Sequence, residues 1–254
     1  MMRSGTIKSS TEIELIAKGG KLLRTILNQT ANLVRPGIST WELNEFAEQA
    51  IYTAGGIPSF KNYGDSQNPF PAGLCTSIND VIVHGIPSKN QILQTGDIIG
   101  LDIGMRYQGF YTDTAITVPV GNISPLAQKL INTTQDCLNQ AIKVAKVGNT
   151  IGDIGYAIQT LAEKNNFSVV RDLVGHGVGY EVHEAPEVPC VGKPRQGLKL
   201  AVGMVLAIEP MLCEKNWKIA VEDDGWTITT LDHGLSAHFE HTIAITTTGT
   251  KILT

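Results

Sequence analysis

The chain has 254 residues, of which 42% are hydrophobic and 17% are charged, a balance typical of a folded globular protein and unlike that of a disordered chain. Twenty Lys and Arg against 24 Asp and Glu give a net charge of −4, which argues against a protein whose main ligand is nucleic acid or an anionic membrane surface. No Ser/Pro-rich stretch or run of like charges divides the sequence, so we expect residues 1–254 to form one domain.

The distribution of apolar residues along the chain does not indicate a membrane or secreted protein. Residues 1–10 lack the apolar run of a signal peptide, and the longest apolar stretch, 201–208, is too short to cross a bilayer. The four cysteines contain no CxxC pair that would indicate a zinc knuckle or a redox site. We therefore expect a cytoplasmic protein with reduced, mostly buried thiols and no membrane partner. The cysteines are Cys75, Cys137, Cys190 and Cys213.

The chain begins with two sequences typical of helix starts. Ser9 and Ser39 are each followed three positions later by glutamate, the pattern of a capping box, and then by apolar residues at helical spacing. The second predicted helix ends at Gly55 and Gly56. The apolar faces consist of Ile13, Ile16, Ala17, Leu23, Ile26 and Leu27 in the first helix, and of Leu43, Phe46, Ala47, Ala50 and Ile51 in the second.

A second pair of helices is predicted further along the chain. Ser124 and Pro125 begin a third helix, with proline at the first helical position, and Thr150 begins a fourth. An offset of 111 positions aligns the two pairs and matches Gly37 with Gly148. The match predicts two similar halves with a ligand site at the seam between them, and chance similarity of two amphipathic helix pairs is the alternative.

The remaining apolar segments predict strands, some of them joined as hairpins. One hairpin joins residues 97–105 to 110–119, and another joins 218–222 to 226–230. Together with the helix pairs, these antiparallel strands predict an α+β fold. Further strands are expected at 81–84, 204–209 and 239–246.

Three carboxylates stand inside strongly apolar strand sequence, at Asp102, Glu209 and Glu240. A carboxylate buried without a partner costs roughly several kcal/mol, and few Lys or Arg residues are nearby. If the first hairpin turns at 107–108, Asp113 lies directly opposite Asp102, and a turn one residue later makes the two diagonal neighbours. In either register a metal ion is the simplest counter-charge, and the alternative is that each acid lies on a solvated face.

Three histidines stand beside glycine or acidic segments. His176 lies in a glycine-rich stretch, and His183 follows seven residues later, so an extended chain points them to opposite faces unless the glycines bend it. His84 ends a predicted strand, and a structural role is the alternative for any one of the three. Four carboxylates with one imidazole and no thiolate favour Mn, Fe, Co or Zn in a two-metal site.

The order and spacing of these motifs resemble the type I methionine aminopeptidases over nearly the whole chain. The resemblance implies the pita-bread fold, in which two pseudo-symmetric halves surround a curved, mainly antiparallel sheet flanked by two helix pairs. It also implies removal of the N-terminal methionine from nascent proteins and peptides, preferably before a small second residue. The matching segments are 75–87, 96–102, 113–114, 175–179, 183–184, 203–210 and 236–242.

The same resemblance assigns roles to individual residues. Two divalent ions are implied, with Asp113 and Glu240 bridging them and a hydroxide between them attacking the first peptide carbonyl. His84 is expected to contact the scissile amide nitrogen, His183 the carbonyl oxygen, and Glu209 to handle the proton. The implied metal ligands are Asp102, Asp113, His176, Glu209 and Glu240. The expected pocket for the methionine side chain consists of Tyr63, Phe70, Cys75 and Trp226.

The sequence departs from the family pattern at three places. The stretch 61–71 is several residues longer than the usual loop, which affects the pocket rim and the position of Tyr63. Val182 replaces a common aromatic residue and is expected to widen the pocket floor, and His238 replaces a usual glutamine close to Glu240. None of these departures removes an implied metal ligand.

Two alternative functions remain on the same fold. X-Pro aminopeptidases and prolidases share the ligand set but normally carry a large additional N-terminal domain, for which this sequence has no counterpart. A non-catalytic peptide- or ribosome-binding module typically has lost its ligands, whereas here all five are present. The expected partner is the N-terminus of a peptide or nascent chain, with the ribosome as a further candidate, no nucleic acid substrate and a monomeric chain.

Overall fold

A computed structural model describes residues 5–254, which contain four helices and fifteen strands. The helices are α1 (Ser10–Ala31), α2 (Thr40–Thr53), α3 (Pro125–Val144) and α4 (Ile151–Lys164). The strands are β1 (Ile57–Pro58), β2 (Leu74–Ile78), β3 (Val81–Val83), β4 (Ile98–Tyr107), β5 (Phe110–Pro119), β6 (Ser168–Val169), β7 (Val174–Gly177), β8 (Glu184–Pro189), β9 (Val205–Ile208), β10 (Met211–Cys213), β11 (Ile219–Val221), β12 (Ile228–Thr230), β13 (Ser236–His238), β14 (Glu240–Thr246) and β15 (Gly249–Ile252).

All four predicted helix starts are confirmed, because short-range hydrogen bonds fix each of them. Ser9 caps α1 and Ser39 caps α2, and in each case the glutamate three residues on bonds back to the cap. Ser124 caps α3 just before its proline, and the Asp153 carboxylate accepts the backbone N–H of Thr150 at 2.7 Å at the start of α4. These contacts satisfy N–H groups that have no partner inside the helix.

The predicted duplication is visible in the helix pairs. Helices α2 and α4 both have 14 residues and begin 111 positions apart. The loops before them turn at Gly37 and Gly148, whose φ values are +88° and +93°. Each pair covers its own apolar core, α1 and α2 packing with residues of β4, and α3 and α4 packing with residues of β9 and β10. The two halves therefore repeat one unit, as the offset predicts.

A nine-stranded antiparallel sheet joins the two halves. Its strand order is β1-β4-β5-β14-β9-β7-β8, with β2 added to β4 and β15 added to β14. Two smaller sheets, β13-β10-β6 and β11-β12-β3, complete the strand pairing within residues 5–254. Since helix pairs from both halves pack on antiparallel strands, the predicted α+β class is confirmed.

The turn of the first hairpin lies one residue later than the first of the two predicted positions. Tyr107 pairs with Phe110, and the turn residues Gln108 and Gly109 have φ values of +48° and +91°. A two-residue turn with positive φ at both positions matches the twist of the flanking strands, and glycine at the second position adopts it without strain. The direct opposition of Asp102 and Asp113 is therefore wrong, and the diagonal alternative is correct.

The second hairpin and the thiols agree with the prediction. Strands β11 and β12 pair with Ile219 opposite Thr230, and β12 also pairs with β3, the strand that precedes His84. All four cysteines are buried and free. Among residues 5–254, no helix is both long and apolar enough to span a membrane.

Candidate metal centre and active site

Three strands of the large sheet place carboxylates on one face. Asp102 in β4 pairs with Ala115 in β5, and Ala115 pairs with Glu240 in β14. Asp113 lies two residues before Ala115, so its side chain points to the same side of the sheet. The strand register alone thus brings three acids together from distant parts of the chain.

Strands β9 and β7 extend the same row across the sheet. Ala207 in β9 pairs with both Thr242 and His176, which places His176 on the face that carries the acids. Glu209 follows Ala207 by two residues, and its Oε1 lies 3.4 Å from Nε2 of His176. Ligand atoms of Asp113, His176 and Glu240 all lie within 4.8 Å of one another.

Several oxygens in this cluster are shielded from solvent and have no hydrogen-bond partner. They are Asp102 Oδ1, Asp113 Oδ1 and Glu240 Oε1. An unsatisfied buried carboxylate oxygen is costly, and a divalent cation is the group that compensates several carboxylates at once. The donor set of carboxylates and imidazole therefore fits a divalent metal ion.

The electrostatics of the cluster lead to the same conclusion. Burial, followed by the neighbouring carboxylates, raises the pKa of Asp113 and of Glu240 well above the ordinary range. Burial likewise raises the pKa of Asp102 to about 7. Without a bound cation, the folded protein therefore favours the protonated form of these acids.

Glu209 differs from the other three acids because histidines surround it. Burial by itself would raise its pKa, but His238, whose Nε2 lies 3.5 Å from Glu209 Oε2, and the nearby His176 hold the pKa of Glu209 below the ordinary value. Glu209 is therefore ionised at neutral pH, whereas the raised pKa values of the other three carboxylates favour their protonated forms.

His176 and His183 lie side by side at the pocket. His176 lies in β7 and His183 in the turn after it, with their ring centroids 4.3 Å apart. Odd spacing along an extended strand would have separated them, and the bend at Gly179, with φ of +139°, brings them together. Burial of its ring and the neighbouring His176 lower the pKa of His183 to about 4, so it is neutral at neutral pH.

His84 borders the same pocket and directly follows β3. Its backbone has a φ of +58°, a conformation uncommon for a residue with a side chain. Gly85 follows because any side chain there would overlap the carbonyl group of Thr76. Burial lowers the pKa of His84, so this imidazole is also neutral at neutral pH.

An apolar pocket of about 140 Å³ opens directly onto the carboxylates. Phe70 and Trp226 form one wall, with their rings edge to face at 5.4 Å, and Cys75 is buried in the same apolar cluster. All the residues proposed as metal ligands, catalytic groups or pocket lining border this one cavity. A groove of about 750 Å³ adjoins it and shares His176 and His183.

The loop 61–71 closes one side of the pocket. Tyr63 reaches across it, with its hydroxyl 2.6 Å from Nδ1 of His183. Trp226 Nε1 donates to the carbonyl of Asn68 at 2.9 Å, and the Asn68 side chain donates to the carbonyl of Asp224 at 3.0 Å. The loop is therefore bonded both to a catalytic candidate and to the pocket wall.

The sequence matches one protein family across most of its length. The profile of metallopeptidase family M24 matches residues 14–247. The chain belongs to metallopeptidase family M24. Metallopeptidases of this family use divalent metal ions, in agreement with the shielded carboxylate oxygens of the cluster.

Relatives of this M24 metallopeptidase are similar along their whole length. A methionine aminopeptidase of Clostridium perfringens is 48% identical over 249 residues, 98% of each chain. Methionine aminopeptidase A of Synechocystis sp. is 47% identical and covers 98% of this chain and 97% of its own. The crystal structure of a methionine aminopeptidase from Thermotoga maritima, 40% identical, superposes with a TM-score of 0.94 over 100% of this chain and 99% of its own, which confirms the predicted pita-bread fold.

Prolidase structures resemble this M24 chain less closely. A prolidase from Pyrococcus furiosus superposes with a TM-score of 0.75 at 21% identity and is covered over only 64% of its length. That likeness shows the shared fold alone. The whole-length similarity to methionine aminopeptidases does not favour the prolidase alternative.

Some residues that line the M24 site are not among the sequence predictions. Phe60, Leu173 and Met211 border the pocket. They are apolar residues without a chemical motif, so only their position in the folded chain identifies them. Val182 is buried in the same apolar cluster as Phe60 and Phe70, at the position where the family pattern predicts an aromatic residue.

Proposed function

We propose that the chain removes the N-terminal methionine from peptides and nascent proteins, preferably when the second residue is small. The observation that carries the proposal is the small apolar pocket, bordered by Phe70, Cys75 and Trp226, that opens directly onto the carboxylate cluster. An unbranched methionine side chain suits such a pocket, and the first peptide carbonyl would then lie over the acids.

We propose two divalent ions at the cluster, chosen from Mn, Fe, Co and Zn. Four carboxylates carry four negative charges, which two doubly charged ions balance. Asp113 and Glu240 would be shared by both ions, since they are the two carboxylates whose ligand atoms lie with that of His176 within 4.8 Å of one another. Asp102, His176 and Glu209 complete the set. When bound, such ions lower the pKa of water and polarise a carbonyl group.

The histidines and Glu209 then act on the peptide bond. If the Tyr63 hydroxyl donates to Nδ1 of His183, the Nε2–H of His183 is free to donate to the carbonyl oxygen and stabilise its developing charge. Glu209, ionised at neutral pH, accepts the proton of the attacking water and delivers it to the leaving amine. His84 is proposed to contact the scissile amide nitrogen.

The rest of the substrate chain is proposed to lie in the adjoining groove. The groove shares His176 and His183 with the pocket, so a chain that leaves the reacting carbonyl enters it without crossing the protein surface. Three further points remain predictions from the sequence. They are that residues 1–254 act as one catalytic domain, that the chain is a monomer in the cytoplasm, and that it contacts the ribosome.

The proposal is tested by comparing Met-Gly-Ser with peptides of the Xaa-Pro type, and by varying the second residue from Gly to bulky side chains. We expect methionine release from Met-Gly-Ser, a steep decline as the second residue grows, and no Xaa-Pro cleavage. Preference for Xaa-Pro peptides would support the prolidase alternative. Bound metal without hydrolysis of any peptide would support a non-catalytic module.

A further inference from the structure

A buried lysine lies next to the active-site turn but outside the pocket. The Nζ of Lys8 is 2.6 Å from Oε2 of Glu184, and the two side chains are only 0% and 6% exposed. The Thr6 hydroxyl bonds to the same carboxylate oxygen. Charged pairs this well buried are expensive to desolvate and contribute little net stability, so stability alone does not account for the pair.

The second oxygen of Glu184 closes the turn that carries His183. Glu184 Oε1 accepts the backbone N–H of Tyr180 and that of Glu181, the latter at 3.0 Å. The carboxylate thus joins the start of the turn to its end, one residue after His183. Lys8 and Thr6 occupy the remaining oxygen and fix the orientation of the whole carboxylate.

Other contacts of Lys8 hold the same turn. Its Nζ lies 5.0 Å from the ring centre of Tyr180, and the Tyr180 hydroxyl donates to Glu12 at the start of α1. The backbone N–H of Lys8 donates to the carbonyl of Gly203 at 2.8 Å, just before β9. Lys8 therefore connects the turn to the sheet that carries the metal cluster.

We propose that Lys8 is a positioning residue for catalysis, which acts through Glu184 to hold His183 against Tyr63 and over the substrate carbonyl. The inference rests on the proposed function, because it requires His183 to assist the reaction. Lys8 itself touches neither the pocket nor the carboxylate cluster, within the residues that the structure describes.

The first test is the metal-loaded enzyme with Lys8→Met. We expect kcat on Met-Gly-Ser to fall on the order of tenfold, with KM changed less than about twofold, because a small displacement of a catalytic group slows the chemical step. Lys8→Arg should restore most of kcat. Lys18→Met, at an exposed position of α1, is the matched control and should leave kcat unchanged.

The decisive step repeats Lys8→Met in a His183→Ala background. If Lys8 acts through His183, the Lys8→Met substitution lowers kcat by no more than about a further twofold in the His183→Ala background. The effects of neighbouring groups that act as a unit are not additive. A full, multiplicative loss in that background would overturn the positioning role and leave the proposed function intact. A His183→Ala variant with unchanged kcat would overturn the role of His183 and this inference together.

A measurement on metal-free protein keeps the inference testable if Lys8→Met fails to fold. Glu184→Gln retains the size of the side chain but loses the charge that pairs with Lys8. We expect faster amide hydrogen exchange confined to residues 178–185 in this variant. Exchange unchanged there, or raised equally across the chain, would contradict the proposal.

Discussion

Three acids of the cluster, Asp102, Glu209 and Glu240, lie in strongly apolar stretches of sequence, and the surroundings of each acid explain how the protein tolerates it. Asp113 and Glu240 are buried with unpartnered oxygens, whereas Glu209 has two histidines beside it. The same local differences give the side chains different proton affinities, and these distinguish Glu209, the proposed base, from the other three carboxylates.

Tyr63 provides a test at the level of one hydrogen bond. Tyr63→Phe removes the hydroxyl that bonds to His183 but keeps the ring, so we expect kcat to fall several-fold, up to about tenfold, since one hydrogen bond contributes about 1 kcal/mol. Steady-state kinetics on Met-Gly-Ser measures the effect. Tyr156→Phe, at an exposed position of α4, is the control, and an equal loss in both variants would contradict the assignment.

Asp102 provides a test by pH. Its pKa in the folded, metal-free protein is raised to about 7, so the stability that its protonated form contributes is present near pH 4 and is lost as the pH rises through about 7. Asp102→Asn does not titrate. We therefore expect the free energy of unfolding of the wild type to fall relative to that of Asp102→Asn between about pH 4 and pH 7, by an amount on the order of a few kcal/mol. Above about pH 7 the difference between the two proteins should stay constant.

Chemical denaturation in the presence of a chelator measures this difference. Saturating divalent metal should reverse its sign, because the wild type then gains a ligand interaction that the variant lacks. A difference that does not change with pH would contradict the assignment of a raised pKa to Asp102.

At the level of elements, the parts that depend on neighbours in sequence were predictable. The helix starts follow from capping residues a few positions apart. The hairpin register could be predicted only as one of two alternatives one residue apart, because it depends on the backbone conformation of Gln108 and Gly109, which the alternating pattern does not determine. The meeting of His176 with His183 depends on a glycine bend, and a buried lysine at position 8 cannot be told from an ordinary exposed one by its sequence.

The packing of α1 gives a prediction at this scale. A methyl group at Gly20 would overlap the carbonyl group of Leu253, although alanine is the better helix former by about 1 kcal/mol. Overpacking outweighs this gain, so we expect Gly20→Ala to lower the Tm by about 3–6 °C. Thermal unfolding measures it, with Lys18→Ala as the exposed control on the same helix. A raised Tm would contradict this expectation, because it would mean that the segment of Leu253 moves aside without cost.

At the level of the whole molecule, the two repeated halves contribute different chemistry to one site. The first half supplies Asp102, Asp113 and His84, and the second supplies His176, Glu209 and Glu240, all facing the concave pocket where the sheet joins the halves. The location of the site, at the seam between the two halves, was predictable from the duplication. The apolar residues that complete it, such as Phe60 and Met211, were not, because they carry no reactive group.

The proposed reaction requires that the carboxylate cluster bind divalent ions. The direct measurement is methionine release from Met-Gly-Ser while Mn²⁺ is titrated into chelator-treated protein, with Asp113→Asn in parallel. We predict no release without metal, a rate that saturates at two ions per chain, and a loss of about a thousandfold or more in the variant, which corresponds to about 4 kcal/mol. Release that survives complete removal of metal, or an equal rate in Asp113→Asn, would contradict metal-dependent catalysis at this cluster.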